Sequence, residues 1–284
     1  RLGVNAWVGG GDDVVNGGGG TSDEIRYSGA PTGVTVNLAT GVALDGFGGT
    51  DTLSNIERIE GSNFRDHLTG DANANKLDGN AGDDTLLGGA GSDSLAGEDG
   101  DDFLDGGAGA DSLFGGNGDA RIAFDAADVT ADGGSGFDTL VVSGGVNIDI
   151  GTNIPVEIDN FEVIDLDGGG DNTLSLFAAD VFDSVSATPD TFKILGSAGD
   201  VMRTAEAWTS AGTLDLLEGS FEKFTFNTAT LLVEIGIDTS GVTAISDIIP
   251  SYLEQVAIGG GGFKITGENI NGQNSGDQAG RGIA

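Results

Sequence analysis

A nine-residue period governs the middle of this chain. From residue 61 the sequence divides into seven consecutive blocks: GSNFRDHLT, GDANANKLD, GNAGDDTLL, GGAGSDSLA, GEDGDDFLD, GGAGADSLF and GGNGDARIA. The sixth position is Asp in five of them (Asp66, Asp84, Asp93, Asp102 and Asp111), Asn75 in the second and Ala120 in the seventh. The eighth position is always apolar: Leu68, Leu77, Leu86, Leu95, Leu104, Leu113 and Ile122. A further copy, GGSGFDTLV, returns at 133–141 in the same phase and carries Asp138. A period this short cannot bury an apolar face within one unit, so each block must stack on others to make a core.

The residue types assign roles within the block. Glycine at the first, second and fourth positions allows positive φ and close backbone approach, so positions one to four read as a tight turn. Positions six to nine are too short for a helix and read as small strands. The always-apolar eighth position points inward, and the Asp two residues earlier shares its side-chain parity. The turn must therefore aim that Asp at the loop rather than into the apolar core.

Composition follows from the period. The chain of 284 residues has 53 Gly and 46 acidic residues against 11 basic ones, a net charge of −35. Of the acids 34 are Asp, a bias that a merely solvating surface does not need. A compact chain with this charge repels itself unless cations bind. The same charge excludes nucleic-acid binding through a basic footprint. The lack of cysteine excludes disulfide and thiol chemistry, and no apolar run approaches the roughly 18 residues of a membrane-spanning helix. A hydrophobic fraction of 38% with 14 Phe argues against disorder for most of the chain.

The blocks resemble the hemolysin-type, or RTX, nonapeptide GGxGxDxUx, a calcium-binding parallel β-helix repeat. Those at 88, 106 and 133 match every fixed position, and those at 79 and 97 depart only at Asn80 and Glu98. The resemblance implies an all-β fold, a parallel β-roll in which two nonapeptides make one turn, followed by a β-rich module. It also implies Ca2+ held between loops stacked 18 residues apart. The implied ligands are Asp66, Asp84, Asp93, Asp102, Asp111 and Asp138, with backbone carbonyls of the turns marked by Gly79, Gly82, Gly88, Gly91, Gly97, Gly100, Gly106 and Gly109. About two to four sites are expected in 61–114 on the stacked-pair argument. The Asp ladder is expected to stop at Ala120. A lone GxxGxD would read instead as an acidic loop with ordinary Asx-turns, and that alternative stays open at Asp13, Asp51 and Asp138.

Four regions are expected: worn repeats and a connector (1–60), the repeats proper (61–145), a β-rich module (146–249), and a linker with the start of a further β repeat (250–284). The first carries VGGGDDVVN and GFGGTDTLS around a strand at Val34, Val36 and Leu38. In the third, strands are expected at 161–168, 172–177, 191–196, 221–227 and 229–237, with a short helix at 178–185 and Trp208 in packing. The fourth is similar to the opening of an integrin-α-like propeller blade, and both ends read as cut from a longer polypeptide.

No catalytic constellation stands out. His67, at the seventh position of its block, reads as solvent-facing, and nothing supplies the N and S ligands that zinc requires. Ser135 lies in a GxSxG, but within a nonapeptide and without a histidine partner. The resemblance implies a secreted or cell-surface bacterial protein exported by a type I system, folding on extracellular calcium. A module binding cell-surface or matrix ligands, and the accessory repeats of a secreted hydrolase, remain alternatives.

Overall fold

The structure, a computed structural model, describes residues 5–142, 147–150, 157–166, 168, 170–176, 191–204, 209–216, 219–226, 229–234 and 237–241. These residues form strands and no helix, in sheets of eight, fourteen and four strands.

The nine-residue period becomes an 18-residue layer. Leu68 pairs in parallel register with Leu86, Leu86 with Leu104, and Leu104 with Ile122, all in one long sheet. The intervening blocks pair Leu77 with Leu95 and Leu95 with Leu113 in the other. The chain thus winds as a flattened roll, with one nonapeptide per face and two per turn. All seven eighth-position side chains have 0% exposure and join one core cluster. Burying each leucine contributes on the order of 1.5–3 kcal/mol, which makes these two ladders the main source of cohesion.

In the blocks at 61 and 70 the strands His67–Thr69 and Lys76–Asp78 keep within positions six to nine, but in the next four blocks the strands run on into the turn. The strand Thr85–Gly91 runs from the seventh position through the glycine turn, and Phe103–Gly109 does the same above it. Gly89 pairs with Gly107, Ala90 with Ala108 and Gly91 with Gly109. Identical turns superpose, so the peptide groups of one can bond to those of the next. The Gly82 N–H donates to the Asp99 carbonyl, and the Gly100 N–H to the Asn117 carbonyl, each at 2.8 Å. Backbone groups that a single turn would leave to water are thereby satisfied by stacking.

The flanks feed the same two long sheets. Asn5–Trp7, Glu24–Arg26 and Arg58–Glu60 stack in parallel below Lys76–Asp78. The expected connector strand is Thr35–Asn37, which pairs antiparallel with Val42–Leu44 and parallel with His67–Thr69. Beyond the last nonapeptide the apolar ladder continues from Leu140 to Ile164, Ile194 and Val233. An antiparallel pair, Gly219–Phe226 and Thr209–Leu216, then forms the edge of that sheet. The third sheet stacks Asn147–Ile150, Thr173–Leu176, Val201–Thr204 and Asp238–Gly241 in parallel. The helix expected at 178–185, Trp208 and the 250–284 segment lie outside the described residues.

Candidate metal centre

From the third block on, the second position shows why the turn needs glycine. Gly89 and Gly107 adopt φ of 104° and 85°, and the two departures from consensus, Asn80 and Glu98, hold the same left-handed conformation at 74° and 76°. The turn shape therefore survives loss of the consensus residue, and Glu98 bears the strain.

The first-position glycine serves a different need. A methyl carbon added at Gly79 would run into Asp84 Oδ2 and the Gly97 carbonyl oxygen. One added at Gly88 would meet Asp93 Oδ2 and the Gly106 carbonyl, and one at Gly97 would meet Asp102 Oδ2 and the Gly115 carbonyl. Each turn thus gathers a carboxylate oxygen and a carbonyl oxygen from the next layer around a site that a side chain would fill.

The aspartates form a ladder. The backbone N–H of Asp66 donates to Asp84 Oδ1, Asn75 to Asp93 Oδ1, Asp84 to Asp102 Oδ1 and Asp93 to Asp111 Oδ1, at 2.7–2.8 Å. These carboxylates are at most 3% exposed. Their second oxygens, Oδ2 of Asp84, Asp93, Asp102, Asp111 and Asp138, are buried and accept no hydrogen bond. A buried charged oxygen without a partner is costly and demands a donor or a cation. Burial first, reinforced by neighbouring carboxylates, pushes Asp84 up to about 8 and Asp93, Asp102 and Asp138 up to about 6.

Among the described residues no group of three acidic or histidine side chains converges. Any cation in these turns must therefore draw most of its ligands from backbone carbonyls. An all-oxygen set of carboxylate and carbonyl, at flexible geometry, suits Ca2+ and not zinc. The residues present fit calcium.

The expected ligands are not equivalent. Asp84, Asp93, Asp102, Asp111 and Asp138 share the unpartnered oxygen, whereas Asp66 is satisfied by the protein. Its Oδ1 accepts from the Val34 N–H and the Ser62 hydroxyl, and its Oδ2 accepts from the Ser62 N–H. Asp51 is satisfied likewise, by the Asp13 N–H and the Tyr27 hydroxyl. The backbone ladder also runs on past Ala120, whose N–H donates to Asp138 Oδ1 at 2.7 Å. Only the carboxylate is missing there. His67 is exposed, as its block position requires.

Three further acids occupy ladder positions that sequence phase does not reveal, and a fourth lies beside a rung. Glu162 Oε2 accepts from Asp138 N–H, Glu57 Oε2 from Asp23 N–H and Asp200 Oδ1 from Asn172 N–H. Asp128 packs its carboxylate against that of Asp111. The spacings in the first three pairs are 24, 34 and 28 residues, so no 18-residue register finds them.

Comparison with known families agrees with this geometry. The family model for the RTX calcium-binding nonapeptide repeat matches in four copies, over residues 6–22, 53–86, 60–95 and 87–122. The chain carries RTX calcium-binding repeats. No curated protein matches the chain significantly. RTX nonapeptides bind Ca2+, and the RTX region here is a structural calcium-binding β-roll rather than a catalytic domain. The match at 6–22 covers the worn VGGGDDVVN block, and the match at 87–122 covers the layers containing Asp93, Asp102 and Asp111.

Proposed function

We propose that this region is a calcium-locked scaffold, in which ions seated between stacked turns hold successive layers of the roll together. The carrying observation is the row of buried Oδ2 atoms at Asp84, Asp93, Asp102 and Asp111 that accept no hydrogen bond. Their ligand partners would be carbonyls of the turns containing Gly79, Gly82, Gly88, Gly91, Gly97, Gly100, Gly106 and Gly109, with Asp138 serving the last nonapeptide. Asp66, with both oxygens already bonded, would act as the protein-satisfied first rung.

Bound calcium supplies positive charge at these carboxylates. Without it they repel one another in a low-dielectric setting, so binding free energy becomes folding free energy. The millimolar calcium of extracellular fluid would then favour the folded roll outside the cell. That supports a secreted or cell-surface bacterial protein exported before it folds. Far-UV circular dichroism and calorimetry with millimolar calcium and with EGTA test the reading. Calcium is expected to raise the melting temperature and sharpen the transition; identical spectra and melting in both conditions would sink it.

A further inference from the structure

The ladder reaches one layer that the nonapeptide does not describe. The residue 18 beyond Asp111 is Val129, so the rung above Asp111 lacks an in-phase carboxylate. The chain closes this gap by shifting one residue. The N–H groups of Val129 and Thr130 both donate to the Asp111 carbonyl, at 2.8 and 3.3 Å, which seats this segment directly on Asp111. Asp128 is thereby turned inward, at 4% exposure, against an Asp111 that is 0% exposed.

The two carboxylates lie within hydrogen-bonding reach of each other. Each has one satisfied oxygen: Asp111 Oδ1 accepts from the Asp93 N–H at 2.7 Å, and Asp128 Oδ2 accepts from the Asp125 N–H at 2.8 Å. The remaining oxygens, Asp111 Oδ2 and Asp128 Oδ1, are buried and accept nothing. Ionised carboxylates have no hydrogen to offer one another, so the pair needs something positive between them. Repulsion from Asp125 on both members and from Asp105 on Asp111 adds to the cost of leaving both carboxylates bare. A single proton would neutralise one charge there; a divalent cation neutralises two. Gly106 also keeps its Cα beside Asp111 Oδ2, as the first-position glycines do in the other turns.

We propose that Asp128 completes the Ca2+ site of the Asp111 turn, as a ligand supplied from outside the nonapeptide phase. The proposal rests on the calcium-binding reading of the repeats and extends it to a turn whose own sequence, FDAADVTAD, lacks the motif. The site would seal the layer where the repeat pattern lapses between Ala120 and Gly133.

The test uses the full chain and its Asp128→Asn and Asp84→Asn variants, with bound calcium counted by equilibrium dialysis. Asparagine keeps an acceptor for the Asp125 N–H, so Asp128→Asn is expected to fold and to bind one ion fewer than the parent. An unchanged ion count and affinity in Asp128→Asn, with a loss in Asp84→Asn, would overturn this site while leaving the repeats as calcium binders. No bound calcium in the parent would overturn both readings. If Asp128→Asn does not fold, anomalous density in calcium-soaked parent crystals decides. A peak between Asp111 and Asp128 supports the site. A peak only at turns such as those of Asp84 and Asp102 assigns the pair a shared proton and refutes it.

Discussion

Asp102 Oδ1 accepts the backbone N–H of Asp84 at 2.8 Å, while Asp102 Oδ2, equally buried, accepts nothing. One carboxylate thus does two jobs. Its first oxygen fixes the register of two stacked layers, and its second is held ready in a dry, oxygen-lined turn. Because the same split recurs at Asp84, Asp93 and Asp111, the proposed ion binding would be coupled to stacking in each of these layers.

Replacing Asp102 by Asn separates these two jobs. The amide oxygen can keep the bond from Asp84, and the buried unpaired charge disappears. Asp102→Asn is therefore expected to stabilise the calcium-free fold by about 1–3 kcal/mol and to weaken calcium binding. Asp66→Asn should do the opposite. Asp66 accepts from two N–H groups and a hydroxyl, so an amide nitrogen must face a donor, at a loss of about 1–3 kcal/mol with little change in calcium affinity. Melting of both variants with and without calcium checks this; shifts of the same sign in calcium-free buffer would refute the distinction between the two residues.

Acid should stabilise the calcium-free roll. Burial raises Asp84 to about 8, Asp128 to about 7 and Asp93, Asp102 and Asp138 to about 6, all above the ordinary value of 3.8 that applies when unfolded. The folded state therefore binds protons more tightly than the unfolded state. Its stability rises as pH falls from about 8, and the gain is complete only below the unfolded value. Calcium needs the ionised carboxylates, so its affinity should fall over the same window. Melting temperatures from pH 8 to 5 in calcium-free buffer are the measurement, and a flat or falling trend there would contradict the burial of these groups.

Glu98 offers a test of the turn itself. It holds φ of 76° at a position where Gly107 and Gly116 serve in neighbouring blocks, and its charge adds to that of Asp78. Left-handed backbone costs a non-glycine residue about 1–2 kcal/mol. Glu98→Gly should recover roughly 1 kcal/mol of that, after the entropy of the freer unfolded chain is subtracted. Urea denaturation in calcium would show it as a higher midpoint at unchanged slope.

What could be read from residues alone divides along the period. The eighth-position ladder and the Asp rungs from 84 to 111 were visible because spacing, side-chain parity and residue type repeat together. The continuation of strands through the glycine turns was not, since a turn's hydrogen bonds depend on the copy stacked above it. Glu57, Asp128, Glu162 and Asp200 were hidden for another reason. Loops of varied length break the phase before each of them, and only the roll brings Glu57, Glu162 and Asp200 onto their rungs and Asp128 beside Asp111. Asp66 and Ala120 err in opposite senses: Asp66 keeps the residue but is satisfied by Ser62 and Val34, and Ala120 loses the residue but keeps the backbone bond to Asp138.

The apolar ladder should transmit damage by position. Leu104 lies between Leu86 and Ile122 in register and has 0% exposure, so truncation leaves a cavity with close-packed neighbours on both sides. Leu104→Ala is expected to destabilise by about 2–5 kcal/mol. In a stacked roll each layer contacts mainly its neighbours, so the loss should first loosen the layers carrying Asp84 and Asp102. Hydrogen exchange in calcium would then show the faster amides concentrated at the Thr85–Gly91 and Phe103–Gly109 strands, with Glu24–Arg26 protected as in the parent. Uniform acceleration across all layers would instead mean that the roll unfolds as one cooperative unit, and the nearest-neighbour account would fail.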